Sequence, residues 1–171
     1  KIRWNATQNI TLTGQYMNGF KKNDSDFYYD RRYEFIMNEA EFNFSSLLYK
    51  IIRVGFNYRY AYRSNPQEIY GGQFAVINEA GTELKFTKPG NYSILANFKY
   101  SSVAYNDDKF INEQLQIDML QSLQNGNNYV WSVSFDKTIA KSFQFSLVYD
   151  GRKTGLSKMI HTGRAQVRAI F

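Results

Sequence analysis

The chain has 171 residues, room for one domain, and a net charge of +6. It has no cysteine, which excludes disulfides and thiolate metal sites, and no apolar run long enough for a membrane-spanning helix. The basic residues are spread over many segments, so arginines facing a polar interior account for the charge better than a nucleic-acid partner does.

The opening Lys1-Ile2-Arg3-Trp4 carries no export signal, and residues 1–8 are expected to be a periplasmic lead-in from a larger protein. From there to residue 171, eight segments alternate with a period of two, which marks strands with two unlike faces. The first, at 9–20, sets Ile10, Leu12 and Tyr16 against Thr11, Thr13 and Gln15. The second, at 31–45, sets Ala40, Phe42 and Phe44 against Glu39, Glu41 and Asn43. Its first half is ambiguous, because Phe35, Ile36 and Met37 are consecutive. The third, at 50–63, is the clearest. Ile52, Val54, Phe56, Tyr58, Tyr60 and Tyr62 share one face; Arg53, Gly55, Asn57, Arg59, Ala61 and Arg63 share the other.

The fourth, at 73–87, opposes Phe74, Val76, Ala80, Leu84 and Phe86 to Gln73, Glu79, Gly81, Glu83 and Lys85. The fifth, at 91–105, opposes Tyr92, Ile94, Ala96, Phe98 and Tyr100 to Ser93, Asn97, Lys99 and Ser101. Its apolar parity shifts near Ser101-Ser102 to give Val103 and Tyr105, and a β-bulge is expected there. The sixth, at 128–137, carries Tyr129, Trp131, Val133 and Phe135 on one face and Asp136 on the other. The seventh, at 142–153, carries Phe143, Phe145, Leu147 and Tyr149 against Asp150 and Arg152. The eighth, at 159–171, ends Gly163-Arg164-Ala165-Gln166-Val167-Arg168-Ala169-Ile170-Phe171, with small or apolar residues at every second position. This ending resembles the insertion signal of bacterial outer-membrane β-barrels, carried by Gly163, Ala165, Val167, Ala169 and Phe171.

Short connections near 46–49, 88–90 and 138–141 alternate with longer ones at 21–30, 64–72, 106–127 and 154–158, the layout of an outer-membrane barrel. A soluble lipocalin-like barrel would turn the apolar face inward instead. An eight-stranded barrel has little room for so many rings, and Gly55, Ala61 and Gly81 lie on the polar face, where a crowded interior needs small residues. The mean hydropathy of −0.51 is also compatible with a membrane barrel, in which only every second residue meets lipid. The expected fold is thus all-β: an eight-stranded antiparallel up-and-down transmembrane β-barrel with a filled polar interior. Val54, Phe56, Tyr58, Phe98, Trp131, Phe135, Phe145 and Leu147 should face lipid. Arg53, Arg59, Glu79, Glu83, Lys85, Lys99, Asp136, Asp150, Arg164 and Arg168 should form ion pairs inside. Tyr58, Tyr60, Tyr62, Trp131, Phe44, Phe86, Phe143 and Phe171 are candidates for interfacial girdles.

The stretches Gly71-Gly72-Gln73-Phe74-Ala75-Val76, Asn78-Glu79, and Met119 to Gly126 (MLQSLQNG) resemble the C-terminal region of long outer-membrane proteins from Bacteroidetes. So do Asn128-Tyr129-Val130-Trp131, Tyr149-Asp150-Gly151-Arg152-Lys153 and His161 to Arg168 (HTGRAQVR). The resemblance implies the C-terminal barrel of a larger protein and names no reaction or catalytic residue.

Chemistry-bearing residues are sparse. His161 is the only histidine and stands near Ser157, so a lipid-modifying enzyme is one alternative, although the spacing shows no triad. Asp24, Asp26, Asp30, Asp107 and Asp108 fall in loops without the spacing of a calcium loop. No metal or cofactor site is expected. Ile111, Leu115, Met119, Leu120 and Leu123 mark one face of a short helix, suited to packing on the barrel's own rim or on a partner. The expected role is a non-enzymatic membrane anchor or structural subunit in the outer membrane, with both termini periplasmic. Its partners would be outer-membrane lipid, the assembly machinery and other outer-membrane or periplasmic proteins. A transport pore is the remaining alternative.

Overall fold

The structure, a computed structural model, describes residues 1–24, 32–66, 72–106, 113–140 and 143–169. Nine strands follow one another in a single antiparallel sheet: β1 (Ile2–Thr7), β2 (Ile10–Asn23), β3 (Tyr33–Leu48), β4 (Ile52–Ser64), β5 (Phe74–Lys88), β6 (Tyr92–Asn106), β7 (Gly126–Ala140), β8 (Phe143–Thr154) and β9 (Ile160–Ala169). One helix, α1 (Glu113–Leu120), lies between β6 and β7. Every neighbour in the sheet is also a neighbour in sequence, so the topology is an up-and-down meander. No described helix is long and apolar enough to cross a membrane.

The alternation sets the register. Glu41, Arg59, Glu79 and Ser101 stand in one row across β3 to β6, and Glu39, Ala61, Ile77 and Val103 stand in the next. Residues of like character therefore share a face across the whole sheet. The two faces differ in exposure. On β4, Ala61 and Arg63 are buried, whereas Phe56, Tyr58, Tyr60 and Tyr62 stand on the opposite, exposed side.

The sheet curls around its polar face. Tyr33 and Phe35 of β3, Ala61 of β4, Ala75 and Ile77 of β5 and Val103 of β6 form one buried cluster with Leu115, Met119 and Leu120 of α1. Lys21 of β2 also reaches Asp118 of α1 at 2.8 Å. Laid flat, strands β2 to β6 would span about 19 Å, wider than a helix. They meet one helix only because the sheet bends.

Three expectations need correction. The sheet has nine strands, not eight. The extra one, β1, falls in the stretch 1–8 set aside as a lead-in, where Ile2, Trp4 and Ala6 alternate with Arg3, Asn5 and Thr7 too briefly to stand out. The sheet is also unclosed: among the described residues, β1 and β9 each pair with one neighbour only. Finally, there is no bulge at Ser101-Ser102. The β5–β6 register runs unbroken from Phe74↔Asn106 to Lys88↔Tyr92. Register shifts occur instead between Asn5 and Thr7 and between Thr138 and Ala140. Val103 is apolar on the polar face because α1 covers it.

Candidate functional site

The polar face is organised in levels. At the loop end, α1 packs on the sheet through Leu115, Met119 and Leu120, with Leu123 partly buried beside them. The expected helix is therefore present, and it docks on its own chain; Ile111 lies outside the described residues. The last turn of α1 has no basic residue of its own. Arg63 supplies the positive charge from β4: its Nη1 donates to the main-chain oxygens of Asp118 at 3.2 Å and Met119 at 2.7 Å. A guanidinium there satisfies carbonyls that the helix leaves open and faces the negative end of its dipole. Arg63 is 1% exposed. Its Nη2 pairs with Glu39, while its Nε has no hydrogen-bond partner. The Asp118 carboxylate accepts from Tyr33 Oη and pairs with Lys21.

Below the helix lies an ionic belt. Arg59 donates through Nε to Glu79 Oε2 at 3.0 Å, through Nη1 to Glu39 Oε2 at 3.5 Å and through Nη2 to Gln121 Oε1 at 2.6 Å. Lys99 Nζ lies 2.9 Å from the same Glu79 oxygen, and Ser101 donates to Glu79 Oε1 at 3.3 Å. Glu79 is thus shared by two cations, and Glu39 by two arginines. Residues of β3, β4, β5 and β6 all enter the belt, so it ties four strands together and, through Gln121, ties them to the end of the helix. Its members are held on adjacent strands by the register described above, and packing around them lowers the dielectric that weakens exposed pairs.

Below the belt the polar face is less filled. A cavity of about 510 Å³ has Asn43, Arg53, Asn57, Glu83 and Lys99 among its walls. Gly81 lies there because the Asn57 side chain crosses it; a Cβ on Gly81 would come within 2.2 Å of Asn57 Oδ1. Of the ten expected ion-pair residues, Arg59, Glu79 and Lys99 meet in the belt. Asp150 and Arg164 pair separately at 3.1 Å between β8 and β9. Asp136 accepts a hydrogen bond from Ser146 instead. Among the described residues, Arg53, Glu83, Lys85 and Arg168 make no ion pair; Arg53 and Lys85 stand directly opposite each other across β4 and β5. Glu39 and Arg63, which the sequence also places on the polar face, pair with each other, and Glu39 pairs with Arg59 as well. What the sequence pattern did not show is that Arg63 would also hold the end of α1.

The other face carries the expected apolar set. Phe56, Tyr58, Phe98 and Leu147 are exposed there, and Val54, Trp131, Phe135 and Phe145 are partly so. Gly163, Ala165, Val167 and Ala169 share that face of β9; Phe171 lies outside the described residues. Near the loop end, the Trp131 ring lies over Gly151, where an added Cβ would fall 2.1 Å from it. His161 stands beside Gly151 on β9. Its ring stacks on Tyr149 at 5.9 Å and meets Trp131 edge-on at 5.8 Å, and its Nδ1 lies 2.7 Å from Tyr149 Oη. Ser157 donates instead to Gln124 at 3.1 Å. No Ser–His–acid array forms among these residues, and His161 belongs to an aromatic cluster.

At the rim, Asp24 pairs with Lys22 at 2.9 Å and approaches Arg32 at 3.6 Å. The hydrogen bond and charge of Lys22 hold the Asp24 carboxyl below its ordinary value. Asp26, Asp30, Asp107 and Asp108 lie outside the described residues, and no group of three potential metal ligands occurs among those described.

Comparison with known proteins gives no relative: no family model, curated protein or solved structure matches the chain.

Proposed function

We propose that this chain is an integral outer-membrane β-sheet protein that anchors a larger protein or complex, with its apolar face in lipid and its polar face enclosing α1. One observation carries the reading: large apolar side chains crowd the exposed face, while an arginine and a glutamate are buried on the other. Phe56, Tyr58, Leu84, Phe98, Val133 and Leu147 lie on adjacent strands and leave much of their surface uncovered. Contiguous apolar surface on that scale marks a face meant for lipid or protein. Its alternation with polar residues along every strand suits a bilayer spanned by strands.

The mechanism of anchoring is physical. Side chains such as Phe98 and Leu147 gain by leaving water, at about 25 cal/mol per Å² of apolar surface. The Arg59–Glu79–Lys99 belt and the Arg63–α1 contact stiffen the inner side. Trp131, Tyr149 and His161 form an amphipathic cluster of the kind that settles at a membrane interface. α1 covers the loop end of the polar face, which favours an anchor over a conducting pore. β9 would end on the periplasmic side, where the assembly machinery would read it; β1 starts part-way along β2, opposite Gly14, so an odd number of strands does not bring both ends to that side.

The test is fractionation of cells expressing the chain behind an export signal. The proposal expects it in outer membranes, resistant to urea extraction and released only by detergent. Recovery in the soluble fraction without detergent would overturn it.

A further inference from the structure

We propose that the apolar face over β5 to β7 holds one anionic phospholipid, with its phosphate between Lys88 and Lys137 and an acyl chain in a hollow beside Trp131. The inference deepens the outer-membrane proposal and rests on it, since a bilayer is what brings lipid to this face. Lys88, Tyr92 and Lys137 stand in one row across β5, β6 and β7, and Phe86, Ile94 and Phe135 stand in the next row of the same face. The Tyr92 ring is held by Phe86 at 5.6 Å and Phe135 at 6.1 Å. Among the described residues, Lys21, Lys22 and Lys99 form ion pairs, and neither Lys88 nor Lys137 does. The charged residues on this face of β5 to β8 are Lys88, Lys137 and Lys153, all cations. The acids of the same strands, Glu79, Glu83, Asp136 and Asp150, lie on the other face.

Two strand spacings put about 10 Å between the lysine main chains. One phosphate between them is within reach of both ammonium groups, and the Tyr92 hydroxyl can donate to it as well. An anion there also relieves the repulsion between the two cations. Lys153 offers no such clamp, because its neighbour across β7 is Tyr129.

A hollow of about 700 Å³ opens on the same face further along the strands. Val54, Leu84, Ala96 and Val133 stand in one row of its walls, and Phe56, Thr82, Phe98 and Trp131 stand in the next. It exists because the short side chains of Ala96 and Thr82 fall among large ones. The Phe86–Ile94–Phe135 row separates it from the lysines. Tyr92 to Phe98 is six residues, about 20 Å of strand. On a strand tilted by about 40° this is about 15 Å of depth, the hydrocarbon thickness of one leaflet. A chain whose phosphate sits at Lys88 and Lys137 therefore ends in the hollow. A free phosphate would meet the lysines and leave the hollow empty. An apolar segment of a protein would fill the hollow and leave the lysines without an anion. A phospholipid on the short-turn side satisfies both.

Trp131 borders the hollow and reports on its occupant. The full chain carrying Trp4→Phe is folded into phosphatidylcholine vesicles doped with phosphatidylglycerol brominated in mid-chain. Two lysines at such a surface together favour an anionic headgroup about thirtyfold, so quenching of Trp131 should be half complete at about 3 mol%, against about 50 mol% for brominated phosphatidylcholine. Lys88→Gln with Lys137→Gln should bring the two midpoints together, and Lys153→Gln should leave them apart. Equal midpoints in the parent chain, as bulk lipid or a second copy in the hollow would give, overturn the proposal. So does a difference that survives the double substitution or vanishes with Lys153→Gln. The two readings fail differently. Emission from the folded protein that neither brominated lipid changes at any mole fraction counts against the outer-membrane reading. Quenching by both lipids alike counts against the phospholipid site alone.

Discussion

Arg63 of β4 donates through Nη1 to the main-chain oxygen of Met119 at 2.7 Å, so the sheet itself caps the C-terminal end of the helix that covers it. The same guanidinium pairs with Glu39 of β3, which also receives Arg59. Arg63→Met keeps much of the side-chain volume but removes the cap and strips Glu39 of one cation. Loss of one partner from a buried pair costs about 3 kcal/mol. Protease cleavage within α1 should then accelerate by about a hundredfold, while the strands stay protected. Unchanged cleavage of α1 would contradict the latch.

Three irregularities of the sequence come together at this place. Phe35 falls in a consecutive apolar run, Ile77 interrupts a polar face, and Val103 breaks the parity of its strand. Each is ambiguous along its own strand. In the fold all three point at α1 and are buried with it. The alternation of β4 and β5 was legible because each residue's face follows from the period of two. The layer under α1 was not, because it depends on a helix distant in sequence returning to that face. Arg59 and Lys99 were legible as interior charges, but their common partner, Glu79, depends on register between strands. β1 was lost for another reason: six residues carry too little pattern.

The glycines on the two faces should respond differently to substitution. Gly151→Val places a branched side chain against the Trp131 ring, a large rigid group that must leave its place. We expect a loss of about 1–3 kcal/mol and a shift in Trp131 emission. Gly81→Ala meets only the end of the Asn57 side chain, which can swing away, so its cost should stay below about 1 kcal/mol. Denaturant unfolding of both variants in one detergent checks the order, and equal losses would contradict it.

The β3–β4 turn offers a stabilising change. Tyr49 and Lys50 have φ of 51° and 61°, and Ile51 N donates to Leu48 O at 3.2 Å. Consecutive left-handed residues at such a turn favour Asn-Gly, and both native side chains are strained there. Tyr49→Asn with Lys50→Gly should raise stability by about 1 kcal/mol. A midpoint of unfolding that falls instead would show that Tyr49 contributes a contact worth more than the strain.

The central claim is that the face bearing Trp131 lies in lipid. In a Trp4→Phe background Trp131 is the single tryptophan of the chain. Its fluorescence in vesicles of lipids brominated near the top of the acyl chains should be strongly quenched relative to vesicles of the unbrominated lipid. Equal emission in the two sets of vesicles, with the protein folded, would contradict the account.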